Sequence, residues 1–176
     1  MSTASLTIVY DQPIAMTPTT APAGFAEAYN RHYDAVFRAA LRVTGNPADA
    51  EDVLQTVFLR VLSQGEAAEA ASLPAAYFRR AAVNGAVDLL RRRAVHAESA
   101  YDDHAPHAAV GPPSLLKEQL RRAIATLDGD DAALFLLRYV EGLSNDELAG
   151  MFQLEKNNVA VRLHRIRHRL QAEMER

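Results

Sequence analysis

The chain has 176 residues, 49% hydrophobic and 23% charged, which suits one globular domain or two small ones. It contains no cysteine, excluding a disulfide scaffold and any Cys-ligated zinc site. No apolar run approaches the roughly 18 residues of a membrane span, and the net charge of −3 takes on meaning only when divided along the chain.

Residues 1–24 hold Thr, Pro and Ala without a period and predict a flexible extension. They lack the basic start and long apolar core of a secretory signal. Tyr29, Tyr33, Val36, Phe37, Ala40 and Leu41 then share one face of a helix predicted over about 24–43. TGNPAD stops it, with Gly45 as the break and Asn46-Pro47 as a turn. A second helix over about 47–62 buries Val53, Val57, Phe58, Val61 and Leu62. Asp49, Glu51 and Asp52 lie in its first turns, where the helix dipole favours negative charge, so simple helix-start chemistry accounts for them. Residues 26–73 hold seven acids against four Arg, an acidic block.

GEAAEAASLP is a loop in which Ala permits a helical turn. A third helix follows over about 74–93, with Tyr77, Phe78, Ala81, Ala82, Ala86, Leu89 and Leu90 on a broad apolar face and Arg79, Arg80 and Asn84 on the other. This stretch holds five Arg against one Asp. Its terminal Arg91-Arg92-Arg93 reads either as a solvated helix end or as a set of phosphate contacts. Residues 94–113 collect Pro, Gly, Asp and His with no apolar period. A linker of that length argues for two domains.

The second domain, 114–176, opens at Ser114 as an N-cap. Leu116, Leu120, Ala123, Ile124 and Leu127 form one helix, and Leu134, Leu137 and Val140 the inner face of a second over 130–141. Ser144 and Glu147 write a capping box for a third short helix. After a turn at Gln153-Leu154, Val159, Leu163, Ile166 and Leu170 form a clean buried stripe. Opposite it lie Asn157, Val161, His164, Arg165 and His168, flanked by Asn158, Arg162 and Arg169. From Glu155 to the end there are six basic residues against three Glu. A capped short helix, a tight turn and a basic helix with Asn and Arg in its first turns is how a DNA-binding helix-turn-helix is written. A solvated surface or a protein-binding bundle is the competing reading. With no β pattern, the expected fold is all-α: a three-helix bundle and a four-helix bundle joined by a flexible linker.

His164 and His168 stand four apart on one helix face, and Asp102, Asp103, His104 and His107 cluster in the linker. Neither group is assigned a metal, and no cofactor is expected. The absence of a Cys nucleophile, a Gly-rich phosphate loop and a Ser motif on a strand-to-helix turn counts against an enzyme.

Taken together, YDAVFRAALRVTGNPADAEDVLQTVFLRVL, AYFRRAAVNGAVDLLRRR and LDGDDAALFLLRYVEGLSNDELAGMFQLEKNNVAVRLHRIRHRL resemble the extracytoplasmic-function (ECF) sigma factors, specificity subunits of bacterial RNA polymerase. The resemblance covers residues 25–170. It implies that 25–93 is sigma region 2 and 114–176 sigma region 4. It also implies that Asp49, Glu51, Asp52, Gln55, Phe58 and Leu59 dock on the clamp coiled coil of the largest polymerase subunit. Arg79, Arg80, Asn84, Asp88, Arg91 and Arg92 would recognise and melt the downstream (−10) promoter element. Lys156, Asn157, Asn158, Val161, Arg162 and Arg165 would read the upstream (−35) element. The implied partners are core polymerase, including its flap region, and promoter DNA, in the bacterial cytoplasm without membrane insertion. An anti-sigma factor clamped between the domains is a further partner that members of the group often have.

The chain departs from the family pattern at Thr56, where Glu is frequent, at Tyr77, where Trp is common, and at Glu155, Asn157, Asn158 and Ala160 in the last helix. Its upstream preference is therefore expected to be its own. A DNA-binding regulator outside the sigma group and a helical adaptor protein are the competing functions. The acidic second helix and the Asn84–Arg93 helix favour a sigma factor over the regulator.

Overall fold

The structure is a computed structural model describing residues 23–63, 69–99 and 115–175. The expected extension before residue 23, and the linker from residue 100 with its Asp102, Asp103, His104 and His107 cluster, lie outside the described residues. Among these residues there are seven α-helices, one 3-10 turn and no strand.

The first helix, α1 (Ala23–Thr44), buries Ala28, His32, Val36, Ala39, Ala40 and Val43, a stripe at three- and four-residue spacing. Gly45 ends it in the left-handed region, at φ +71°. A Cβ on Gly45 would also meet the Arg121 guanidinium, the movable end of a long side chain, so it is the left-handed φ that calls for glycine here. Asn46 then accepts a hydrogen bond from the Ala48 N–H at 2.9 Å and caps α2 (Pro47–Ser63), with Pro47 at its first position. The 3-10 turn Ala70–Ser72 is tied to α1 by Arg31, which donates to the Ala71 carbonyl at 3.0 Å.

The third helix, α3 (Ala75–Ser99), runs past the expected end at Arg93. The six further residues, AVHAES, contain no Gly or Pro and two Ala, so nothing in them stops a helix. The Arg triplet therefore lies inside the helix, and the first six residues of the expected linker are helical.

Phe78 is fully buried where these helices meet; its ring stacks on His32 at 4.2 Å between centroids and lies 5.6 Å from Phe58. The α2 and α3 backbones approach closely at Gly85, where an added Cβ would stand 3.0 Å from Val53 Cγ1.

The second bundle comprises α4 (Leu115–Ala125), α5 (Gly129–Tyr139), α6 (Asn145–Phe152) and α7 (Lys156–Met174). Asp128 caps α5 by accepting from the Asp131 N–H at 2.8 Å. The capping box of Ser144 and Glu147 forms at the start of α6, with both reciprocal bonds in place. Gln153 turns the chain into α7 with φ 54°, a left-handed residue that is not glycine. Val159, Leu163, Ile166 and Leu170 are the buried stripe of α7. The two bundles are in contact: α3 packs against α1 and α2 and also against α4 and α5, and the buried side chains form one continuous cluster.

His32 gives this core a pH dependence. Burial, and then the neighbouring Arg31 charge, push its imidazole below the ordinary 6.5. The unfolded chain thus takes up a proton near 6.5 that the folded chain takes up only at lower pH, so stability present above that pH declines as pH falls below it. The thermal midpoint is expected to drop from about pH 7 towards pH 5, before most carboxylates titrate. His32→Phe should flatten that decline; an unchanged slope would mean that other groups set it.

Candidate nucleic-acid interface

The α6–turn–α7 unit places the first turns of α7 at the surface. Lys156, Asn157, Asn158 and Arg165 are exposed, and Val161 is half-exposed despite being apolar. Lys156 reaches across to α6, its Nζ 2.7 Å from Asp146 Oδ2. Arg165 has no ion pair or hydrogen bond among the described residues, so its guanidinium is available to a ligand.

Arg162 behaves differently. Its Nε donates to Asp131 Oδ1 at 2.5 Å, and its Nη2 lies 3.7 Å from Asp128 Oδ1. Arg169, two turns further on, places Nη1 3.1 Å from Asp131 Oδ2. The Asp128 carboxyl is held below the usual range, first by the Asp131 backbone N–H, then by its side-chain contact to Asp131 and by the Arg162 and Arg169 charges, against the opposing cost of burial. Asp131, Asn158, Val161, Arg162, Arg165 and Arg169 together line a groove of about 450 Å³. His164 and His168 bring their Nε2 atoms within 3.2 Å, but no group of three His, Cys, Asp or Glu placed for a metal occurs among the described residues.

The cations of α3 mostly face the second bundle. Arg80 donates to the Met151 carbonyl at 2.9 Å, approaches Asp130 at 3.3 Å and lies 4.2 Å over the Phe152 ring. That combines a charged hydrogen bond with a cation–π contact. Arg91 donates to the Ala125 and Leu127 carbonyls at the end of α4 and stands 3.7 Å from Asp88. Arg79 lies near enough to Glu147 to help hold that carboxylate below its usual range, after the larger effect of its hydrogen bonds from Ser144. Asn84 is half-buried, whereas Asp88 and Arg92 are exposed.

The acidic segment of α2 divides in two. Glu51, Asp52, Gln55 and Leu59 face solvent, Leu59 at 62% exposure. Asp49 is buried at 3% and bonded to Arg93, and Phe58 belongs to the core. These two side chains hold α2 in place and are not on the open face. The family resemblance put Asp49 with its neighbours; at helical spacing it falls on the buried side with Val53 and Leu54.

Sequence reading also missed the bonds that join the bundles. Arg42 meets Glu141 at 2.6 Å, and Arg121 donates to the Val43 carbonyl at 3.2 Å. These partners are 99 and 78 residues apart, beyond any local pattern.

Comparison with known proteins gives a consistent picture. Residues 28–95 match Sigma-70 region 2, and residues 117–170 match Sigma-70, region 4. The ECF RNA polymerase sigma factor SigE of Mycolicibacterium smegmatis is 30% identical over 152 residues, covering 82% of this chain and 59% of that protein. The RNA polymerase sigma-E factor of Streptomyces coelicolor is 30% identical over 157 residues, covering 85% of each. The co-crystal structure of the sigma factor RpoE in complex with the anti-sigma factor NepR from Bartonella quintana aligns with 86% of this chain and 96% of that one, at 20% identity and a TM-score of 0.49.

Proposed function

Because the chain belongs to the ECF sigma factors of RNA polymerase, we propose that it binds the core enzyme and directs promoter-specific initiation through three surfaces. The exposed part of α2, with Glu51, Asp52, Gln55 and Leu59, docks on the clamp coiled coil of the largest subunit. The open face of α7 reads the upstream element. The α3 helix captures the downstream element as single strand. The chain's own side chains carry out no chemistry, and it works in the cytoplasm beside the polymerase; no described helix is long and apolar enough to cross a membrane.

The observation that carries this reading is the unpartnered first face of α7. Asn is suited to the edge of adenine and Arg to that of guanine, and Val161 offers an apolar contact to a thymine methyl. Asn157, Asn158, Val161 and Arg165 stand ready for these contacts. Lys156 and Arg162 sit beside them as backbone contacts once released from Asp146 and Asp131.

For α3 the reading requires movement. Arg80 and Arg91 are engaged by the second bundle, so their turn towards DNA follows separation of the bundles on the polymerase. Arg79, Asn84, Asp88 and Arg92 complete that surface. Preference for the single strand over the duplex then shifts the promoter towards the open state. An anti-sigma factor would act by occupying the same surfaces.

Reconstituted run-off transcription with core polymerase tests the proposal. Arg165→Ala or Asn157→Ala should reduce initiation about 5- to 150-fold, the loss of one base contact of ~1–3 kcal/mol, while core binding is retained. Failure of the unmodified protein both to bind core and to start transcripts would sink the reading.

A further inference from the structure

Asp131 stands on α5, outside the helix that touches DNA, yet both its oxygens are committed to that helix. Oδ1 takes Arg162, Oδ2 takes Arg169, and the residue is only 8% exposed. Arg162 and Arg169 are two helical turns apart, so one carboxylate spans the same face of α7 from below. Both guanidinium groups still reach the groove mouth, with side chains 33% and 54% exposed. Asn158, Val161 and Arg165 line the same groove.

We propose that Asp131 is an internal stand-in for a DNA phosphate: it occupies two of the five cations of α7, which would otherwise bind any duplex, and so makes binding depend more on base contacts. The proposal rests on α7 being the DNA reader. A carboxylate and a phosphate ask for the same guanidinium donors in the same charge-assisted geometry. A passing duplex must therefore exchange one anion for another at Arg162 and Arg169, and the exchange yields little net electrostatic gain. Arg165, with no partner among the described residues, meets a phosphate or base without such an exchange. Non-specific affinity comes mainly from phosphate contacts, whereas base contacts carry the sequence information. Holding two cations back lowers the first and leaves the second intact. Asp128 is the other acid facing Arg162, at 3.7 Å, and supports the same effect more weakly.

The test is fluorescence anisotropy of the full chain on random-sequence duplex DNA across a salt series. Asp131→Asn preserves shape and removes the charge. It should tighten random-sequence binding at low salt and steepen the slope of log K against log salt by about 1.8, two phosphate contacts at ~0.9 each. That slope corresponds to roughly an extra tenfold loss of affinity between about 50 and 200 mM salt. Combining Asp131→Asn with Arg169→Gln should return about half of the change.

An unchanged slope, or weaker binding at every salt concentration in a folded Asp131→Asn protein, would overturn the proposal and leave Asp131 as a clamp on the angle of α7. Two variants of exposed side chains decide the matter even if Asp131→Asn folds poorly. On random sequence Arg165 has no matching base and its free guanidinium falls to a phosphate, so in the otherwise unchanged chain Arg165→Ala should flatten the slope by about 0.9, and Arg169→Gln by less than half as much. Equal losses would refute the sequestration of Arg169. If Arg165→Ala alters neither affinity nor slope, the failure belongs to α7 as a DNA reader and not to Asp131.

Discussion

Phe78→Ala is expected to remove about 3–5 kcal/mol of stability, a large share of the ~5–15 kcal/mol that holds a domain of this size. Phe78 is fully buried and sits where α1, α2 and α3 converge. Truncation loses the transfer free energy of the ring and leaves a cavity that the His32 and Phe58 rings line on two sides. The α2–α3 approach at Gly85 and Val53 leaves the backbone little room to close that space. Lost ring–ring contact adds to the cost, since such pairs contribute ~0.5–1.5 kcal/mol beyond buried area. Urea unfolding followed by circular dichroism measures the change. Leu59→Ala, at an exposed position of the same bundle, should stay within about 0.5 kcal/mol of the parent. A Phe78→Ala loss below about 1 kcal/mol would mean that the bundle repacks freely and that the ring is not its centre.

The parts legible in the sequence are those in which one local signal decides. The Val159, Leu163, Ile166 and Leu170 stripe repeats at helical spacing, and Ser144 with Glu147 names both partners of a capping box within four residues. Side chains whose role depends on a distant partner were not legible. Arg80 and Arg91 carry the charge expected of phosphate contacts, and only the fold places Met151, Phe152 and the Ala125 and Leu127 carbonyls against them. One signal of this was present. The apolar face of α3 runs through Phe78, Ala82, Val83, Ala86, Val87 and Leu90, wider than packing on a single bundle needs. A helix with so broad a face is covered from more than one side, and α3 is covered by both bundles.

That double packing bears on function. The surface proposed to melt DNA is the one that joins the bundles, so α3 cannot present Arg80 and Arg91 to a strand while α4–α6 hold them. The α7 groove carries no such restriction, since Asn157, Asn158 and Arg165 are exposed with the bundles in contact. The two proposed DNA surfaces thus differ in when they become available: the upstream reader is open beforehand, and the downstream reader depends on the polymerase drawing the bundles apart. The ion pair of Arg42 with Glu141, whose carboxylate side chain is only 6% exposed, is one of the contacts that must part.

Asp52→Arg is expected to weaken binding to core polymerase at least about thirtyfold, the equivalent of ~2 kcal/mol, with the thermal midpoint unchanged. Asp52 lies on the exposed face of α2 beside Glu51 and Gln55, and its carboxylate makes no ion pair within the described chain. On the proposed docking, reversing its charge would turn attraction for a basic partner surface into repulsion without disturbing the core. The same reversal at Asp49, in the preceding turn of α2, should act in the opposite way. Asp49 is buried and bonded to Arg93, so Asp49→Arg would bury a cation beside the half-exposed Arg93 guanidinium. Leaving a buried charge uncompensated costs about 3–5 kcal/mol, and the protein should lose stability before its affinity can be measured. Paired thermal melts and surface plasmon resonance against immobilised core polymerase separate the two effects. If Asp52→Arg binds core as tightly as the parent, the docking surface is not this face of α2. If Asp49→Arg melts with the parent, Asp49 can leave its pocket and belongs with the exposed acids after all.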